Sequence, residues 1–159
     1  MIIVSNTSPV CYLLLISQID VLPTLFNRIM LPQAVREELL SEGAPAVLQT
    51  WVAQPPVWLE IKPVVTESDA ELARLHPGER EAIVLAERLG ADLILLDEKA
   101  ARRVATARGL NVTGLLGILD EAQTRGLIDL PEAVERLRQT TFRASPYLLK
   151  SLLDRHQKI

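Results

Sequence analysis

The residues best suited to chemistry in this sequence include an amide and an acid that each follow a short apolar run. Asn6 comes directly after Ile2–Ser5, and Asp97 comes directly after Asp92–Leu96. Both runs have the length and apolar composition of buried strands. Sites in open parallel α/β sheets form at the carboxyl ends of strands, so both side chains are candidates for one site. The competing interpretation is that each residue only marks the turn between a strand and a helix.

Two glutamates on predicted helices are the other candidates. Glu38 borders the apolar face of the helix predicted from Pro32 to Leu40, and Glu81 borders that of the helix predicted over Glu79–Leu89. Glu81 can equally be a first-turn carboxylate favoured by the helix dipole. Glu38 can equally be a solvated charge at the edge of its helix.

If these four side chains converge, their chemistry is that of a metal site. Carboxylates held close together repel one another, and burying them is costly unless a cation or proton compensates. Hard divalent cations such as Mg²⁺ or Mn²⁺ prefer oxygen ligands of this kind. Such a metal can activate water for phosphodiester cleavage. Periodicity alone does not establish the convergence.

The elements that must position these residues alternate between strand and helix. Continuous apolar strands separated by helices predict an α/β domain with a central parallel sheet covered on both faces. We expect a single domain over residues 1–159, with a helical C-terminal part at about 114–159 packed on the same core. The predicted strands are Ile2–Ser5, Arg28–Leu31, Trp58–Val64, Asp92–Leu96 and Asn111–Val112. A brief helix is predicted from Ser68 to Leu75, with a break at Pro77-Gly78 before the helix Glu79–Leu89, which Gly90 ends as its C-cap.

Composition narrows the class of protein. With 159 residues, 48% apolar and 23% charged, the chain is globular and long enough for a proper core. A net charge of -3 gives no global attraction for nucleic acid, so a polyanion must meet a local patch. The single cysteine, Cys11, excludes an internal disulfide and favours the cytoplasm. No secretory signal or membrane span is expected, and the absence of a P-loop or GxGxxG motif disfavours nucleotides.

Two basic segments are candidates for such a patch. Residues 99–108 carry Lys99, Arg102, Arg103 and Arg108 and no acid, immediately after Asp97. They suit a backbone phosphate, or they form an ordinary solvated helix face. Residues 136–159 contain six Lys or Arg and one acid, which could serve RNA, an acidic partner or only solubility.

Two pairs of residues have a structural interpretation first. Gly114 and Gly117 are expected to be packing glycines at a helix entry rather than a phosphate loop. His76 and His156 have no ligand spacing and are expected at the surface.

Several motifs together resemble a known family. The opening is similar to the V-S-D-T-S-P start of PIN-like proteins, a family of small bacterial and archaeal proteins of undetermined function related to the ribonuclease toxins of type II toxin–antitoxin systems. The similarity spans nearly the whole chain, with the motifs in the family's order. They are Val4-Ser5-Asn6-Thr7-Ser8-Pro9, Leu31-Pro32-Gln33-Ala34-Val35-Arg36-Glu37-Glu38-Leu39, Pro77-Gly78-Glu79-Arg80-Glu81-Ala82-Ile83, Leu96-Asp97-Glu98-Lys99-Ala100-Ala101-Arg102-Arg103-Val104-Ala105, Gly114-Leu115-Leu116-Gly117-Ile118-Leu119 and Gly126-Leu127-Ile128.

The resemblance implies a three-layer α/β/α PIN-like domain that binds Mg²⁺ or Mn²⁺ at the carboxyl edge of its sheet. Ser8 matches the small hydroxyl residue that supports the first acidic position, and it can also cap the helix before Pro9. Lys99 and either Arg102 or Arg103 become candidates for phosphate contacts. Carried over by position, the catalytic and metal-ligating set falls on Asn6, Glu38, Glu81 and Asp97.

The sequence departs from the family pattern at Asn6, where the family has aspartate. An amide oxygen can ligate a hard cation but carries no charge. Two functions therefore remain open. The first is a metal-dependent endoribonuclease, in the setting of a toxin restrained by a small antitoxin. The second is a degenerate, non-catalytic module that binds RNA or a protein partner. The resemblance also suggests a homodimer.

Overall fold

Five parallel strands form one central sheet in the computed structural model, which describes residues 1–157. Lys158 and Ile159, the last of the basic C-terminal segment, lie outside the described residues. The strand order is β3-β2-β1-β4-β5, so the first strand of the chain lies at the centre. The strands are β1 (Ile3–Ser5), β2 (Ile29–Pro32), β3 (Leu59–Lys62), β4 (Leu93–Leu95) and β5 (Val112–Thr113).

Helices cover both faces of this sheet. Side chains of β1 alternate between the faces, so Ile3 joins one hydrophobic cluster and Val4 joins the other. Within residues 1–157 the helices are α1 (Thr7–Leu15), α2 (Val21–Phe26), α3 (Gln33–Leu40), α4 (Ala46–Ala53), α5 (Pro77–Leu89), α6 (Lys99–Ala107), α7 (Leu115–Thr124), α8 (Leu130–Arg138) and α9 (Pro146–Arg155).

The two clusters define a three-layer α/β/α domain, which confirms the predicted fold class. The larger cluster joins α1 to the C-terminal helices through Leu13, Ile118, Val134 and Leu149. The smaller one packs α5 and α6 on the opposite face. Every strand pair is parallel, so all five carboxyl ends meet at one edge of the sheet. No helix within the described residues is both long and apolar enough to cross a membrane.

Two local predictions need correction. We expected a break at Pro77-Gly78, but Pro77 is the first residue of α5, where its fixed φ and missing N–H fit a helix start. We expected a helix from Ser68 to Leu75, but only a 3₁₀ turn forms at Leu72–Arg74. The predicted C-cap at Gly90 is confirmed, because Gly90 has a φ of 60° and a left-handed conformation.

Candidate metal and nucleic-acid site

A cavity of about 450 Å³ lies at the carboxyl edge of the sheet, and we call it the acidic cavity. It collects residues from the ends of β1 and β4, from α1, α3 and α5, and from the loop between α8 and α9. Its lining residues are Asn6, Thr7, Ser8, Cys11, Tyr12, Glu38, His76, Glu79, Asp97, Glu98, Thr141, Phe142 and Arg143.

Asn6 lies at the base of this region with an unsatisfied amide oxygen. The residue is only 6% exposed, and its Oδ1 is buried without a hydrogen-bond partner among residues 1–157. A Cβ added to Gly78 would lie 3.1 Å from both Asn6 Oδ1 and Glu38 Oε2, so at most twice that distance separates these two oxygens. A buried acceptor that lacks a donor is costly, and a cation beside it would satisfy this oxygen.

Asp97 is held through both carboxylate oxygens. Ser8 Oγ donates to Oδ2 at 2.8 Å, and the backbone N–H of Leu115 donates to Oδ1 at 2.7 Å. Burial raises the pKa of Asp97, although these two hydrogen bonds and the nearby Arg102 act to lower it. Ser8 therefore does not cap α1, which begins one residue earlier at Thr7. The hydroxyl instead orients an acid.

Glu38 and Glu79 bring two more carboxylates to the acidic cavity. Glu38 is exposed, and Thr7 Oγ1 donates to its Oε2 at 2.6 Å. Glu79 is only 6% exposed, and its Oε1 accepts the backbone N–H of His76 at 3.1 Å. Burial raises the pKa of Glu79, and the neighbouring carboxylates Glu98 and Glu38 add to this.

The carboxylate of Glu81 lies at the start of α3. Its Oε1 accepts the backbone N–H of Ala34 at 3.0 Å, and it is not among the residues that line the acidic cavity. The reason is local, because α3 has no side-chain cap at Pro32 and its first-turn N–H groups need an acceptor. Asn6, Glu38 and Asp97 line the acidic cavity together, and the residue that α5 contributes to the lining is Glu79.

Sequence reasoning also missed several residues that line the acidic cavity. His76, Glu98 and the segment Thr141–Arg143 are examples. Glu79 and Glu98 stand beside the motif residues Glu81 and Asp97, so the sequence contained a signal for them. The loop at residues 141–143 belongs to the basic segment 136–159, but it is distant along the chain and no motif singled it out.

The predicted cations lie in different places. Lys99 and Arg102 line a second cavity, of about 420 Å³, which we call the basic cavity. Arg103 lines a third cavity beside Arg74, so it does not share the site. The guanidinium of Arg108 makes salt bridges to three carboxylates, and these raise its pKa. These three acids are Asp69, Glu71 and Glu87. Arg108 therefore has a structural role.

The absence of a side chain at Gly114 leaves room for both Arg102 and Asp97. A Cβ on Gly114 would lie 2.5 Å from Arg102 Nη1 and 2.7 Å from Asp97 Oδ1. Arg102 Nη1 also donates to the carbonyl oxygen of Leu96 at 3.1 Å. Glycine is therefore needed at this helix entry because of packing, in agreement with the interpretation from the sequence.

The donor atoms of the acidic cavity suit a hard divalent cation. Glu38, Glu79, Asp97 and the unpartnered Asn6 Oδ1 all offer oxygen. Burial, with a smaller contribution from Glu38, raises the pKa of the Cys11 thiol to about 11, so it is no thiolate ligand at neutral pH. Among residues 1–157, however, no three His, Cys, Asp or Glu side chains are grouped closely enough to hold a metal ion. Ligation therefore requires these carboxylates to move towards one another.

The fold is a three-layer α/β/α domain with a five-stranded parallel sheet, and acidic side chains lie at the carboxyl edge of that sheet. The model of the DUF3368 family, a PIN domain, matches residues 2–158, so the chain belongs to this PIN-domain family. This confirms the predicted family. PIN domains generally depend on divalent metal ions.

A solved structure supports the fold independently. A PilT N-terminus domain protein from the hyperthermophilic archaeon Sulfolobus solfataricus P2 is similar, with a TM-score of 0.55 over 77% of this chain and 93% of that chain. The two share 18% sequence identity, so the likeness establishes the fold alone. No curated protein matches this sequence.

Proposed function

We propose that this protein is a Mg²⁺- or Mn²⁺-dependent endoribonuclease of the PIN class whose activity is weakened by Asn6. The observation that carries the proposal is the buried, unpartnered Oδ1 of Asn6 beside Glu38 in a cavity that also contains Asp97. An oxygen-rich cavity with an unsatisfied acceptor favours a cation. Membership of the PIN-domain family makes a phosphodiester the substrate to test first.

The chain's own residues have distinct roles in this proposal. Asn6, Glu38 and Asp97 would hold the cation, with Glu79 or Glu81 as the fourth ligand. When bound, the cation would supply Lewis-acid stabilisation of the charge that develops on a phosphate oxygen.

Three hydrogen-bond donors keep two of these ligands oriented. Ser8 Oγ and the Leu115 N–H fix both oxygens of Asp97, and Thr7 orients Glu38. Because Asp97 is held in this way, the movement that ligation requires falls mainly on the exposed Glu38.

A non-catalytic module is the alternative, and Asn6 is again the reason to consider it. The amide contributes no charge to cation binding. If the missing carboxylate removes roughly 3 kcal/mol of transition-state stabilisation, the rate falls by about a hundredfold. In that case the protein would bind RNA or a protein partner without measurable cleavage.

An RNA cleavage assay in Mn²⁺ separates the two functions. The wild type, Asn6→Asp and Asp97→Ala would be incubated with labelled RNA, with EDTA as the metal-free control. We expect weak cleavage by the wild type, faster cleavage by Asn6→Asp and none by Asp97→Ala. Strong wild-type cleavage that Asn6→Asp leaves unchanged would contradict the impaired site but keep the nuclease. No cleavage by any of the three would favour the binding module.

The biological setting we propose is that of a cytoplasmic toxin held inactive by a small antitoxin, with the PIN domain as a homodimer. It is supported by the family and by the single cysteine. Growth arrest on expression that a short neighbouring gene relieves would support the antitoxin. Light scattering of the purified protein measures the oligomeric state directly, and a monomer at all concentrations would exclude the dimer.

A further inference from the structure

The basic cavity adjoins the acidic cavity and shares three lining residues with it, namely Asp97, Phe142 and Arg143. Its cationic lining consists of Lys99, Arg102 and Arg143. Asp97 is its only acidic lining residue, and both oxygens of that carboxylate already accept hydrogen bonds. The basic cavity therefore has an excess of positive charge directly beside a site rich in carboxylates.

Within residues 1–157, the three cations of the basic cavity are not paired with acids, unlike several arginines elsewhere in the chain. Arg108, Arg136, Arg138 and Arg155 are all neutralised by acids. Lys99, Arg102 and Arg143 make no salt bridge within the described part of the chain, and Arg143 is exposed. Because the protein has a net charge of -3, a local group of uncompensated cations is the feature that would attract a polyanion.

The loop that carries Arg143 is held in place by α1. Tyr12 Oη and Thr141 Oγ1 are 2.8 Å apart and hydrogen-bonded, and the rings of Tyr12 and Phe142 pack edge to face at 5.1 Å. The Phe142 N–H also donates to Thr140 Oγ1 at 3.2 Å. Phe142 is thus a fixed aromatic ring at the junction of the two cavities, next to a cation.

We propose that the basic cavity binds one phosphate of a single-stranded RNA while the neighbouring phosphate lies in the acidic cavity. Arg143 is the main cation for the phosphate in the basic cavity. Phe142 is the surface on which the base between the two phosphates stacks. This rests on the proposed nuclease function for the identity of the polyanion. Single strands are bound by the combination found here, a basic groove with an aromatic ring beside it. A duplex cannot place an unstacked base against Phe142.

The test is binding of a fluorescently labelled oligouridylate of about ten nucleotides, a length within the usual single-strand site sizes. Anisotropy is measured in EDTA, where no cleavage occurs, over a series of salt concentrations. We expect Arg143→Ala to weaken binding by about tenfold at low salt and to reduce the slope of log K against log[salt] by about 0.7, the value for one phosphate contact on a single strand. Arg143→Lys should keep the slope of the wild type, because the positive charge is retained. This control distinguishes the loss of a charge from a structural effect of the substitution.

Two further variants complete the design. Phe142→Leu keeps an apolar side chain and should weaken binding by about tenfold without changing the salt slope, because stacking is not electrostatic. Arg88→Ala is the matched control, since Arg88 is an exposed cation in the last turn of α5, at the end opposite to Glu79. It should leave both the affinity and the slope unchanged.

Several outcomes would overturn the inference. One is an Arg143→Ala protein with wild-type affinity and slope, and another is equal binding of double-stranded RNA. RNA cleavage that survives Arg143→Ala and Phe142→Leu with unchanged KM would leave the proposed nuclease intact and remove this binding site. Conversely, RNA binding that depends on Arg143 in a protein that never cleaves would keep this site and contradict the nuclease.

Discussion

Ser8 Oγ donates a 2.8 Å hydrogen bond to Asp97 Oδ2 and so ties the first turn of α1 to the loop after β4. The opposite oxygen of the same carboxylate accepts the N–H of Leu115 at the start of α7. One partly buried acid therefore joins three segments of the chain. Burial still raises the pKa of Asp97, so the ionised form of this site residue destabilises the folded protein.

Asp97→Asn should raise the free energy of unfolding at neutral pH. Since the pKa of Asp97 in the folded protein is raised above its ordinary 3.8, its favourable contribution is present below that value and is lost as pH rises through the folded pKa. Asparagine carries no charge, can accept from the Leu115 N–H and can donate to Ser8 Oγ. Thermal unfolding in EDTA between about pH 4 and pH 8 measures this. The advantage of the variant should grow with pH, and parallel curves for the two proteins would contradict it.

Asn6→Asp should bind Mn²⁺ roughly tenfold more tightly than the wild type, because a further charge is added at the cation. In EDTA the same variant should be less stable, since a second carboxylate then faces Glu38 without compensation. Calorimetric titration and thermal unfolding measure the two effects. Asn111→Asp adds the same charge at the amino end of β5, on the side of the sheet opposite to the acidic cavity, and serves as the control. Equal Mn²⁺ affinities for wild type and Asn6→Asp would place Asn6 outside the ligand shell.

Gly114→Ala should impair the site while the protein stays folded. Its Cβ would come within 2.7 Å of Asp97 Oδ1 and 2.5 Å of Arg102 Nη1, so both side chains must shift. Arg102 has a flexible end that can move cheaply, but Asp97 is held through both oxygens, so a measurable loss of stability should accompany the shift. Gly43→Ala is the control because no atom lies within 4 Å of the added Cβ. Mn²⁺ titration should show weaker binding for Gly114→Ala alone, and unchanged affinity would mean that the position of Asp97 tolerates the shift.

Glu79 and Glu81 should give different results when each is changed to glutamine. Glu79→Gln should weaken Mn²⁺ binding, because Glu79 lines the acidic cavity. Glu81→Gln should leave Mn²⁺ binding near that of the wild type, since its Oε1 is occupied by the Ala34 N–H and an amide oxygen can still accept that bond. The reverse pattern would show that Glu81 leaves Ala34 when the metal binds. Both variants keep the side-chain size, so thermal unfolding checks that each is folded.

The fold was predictable because β1, β2 and β4 are short, mostly apolar runs separated by helices. Gly90 ended α5 as expected, and the parallel sheet followed from the alternation of elements. The helix start at Pro77 was missed because Pro-Gly is typical of turns. Only the structure shows why a glycine follows Pro77, since Gly78 packs against Asn6 and Glu38.

The site was predictable where residues follow strands and less so where they lie on helices. Asn6 and Asp97 are placed by the ends of β1 and β4. Glu81 borders the inner face of α5 as its phase predicts, but the bare N-terminus of α3 attracts its carboxylate, and no periodicity contains that information. Arg143 reaches the site through a loop whose path depends on Tyr12, more than a hundred positions away.

The central place of β1 has a consequence for synthesis on the ribosome. β1 is made first, and β2 can pair with one of its edges early, but the other edge waits for β4, which begins at Leu93. At about 5–20 residues per second, that wait is on the order of ten seconds. During this time one edge of β1, whose three residues are all buried in the folded protein, is open to other chains, so the nascent protein is expected to depend on chaperones until Leu95 has emerged.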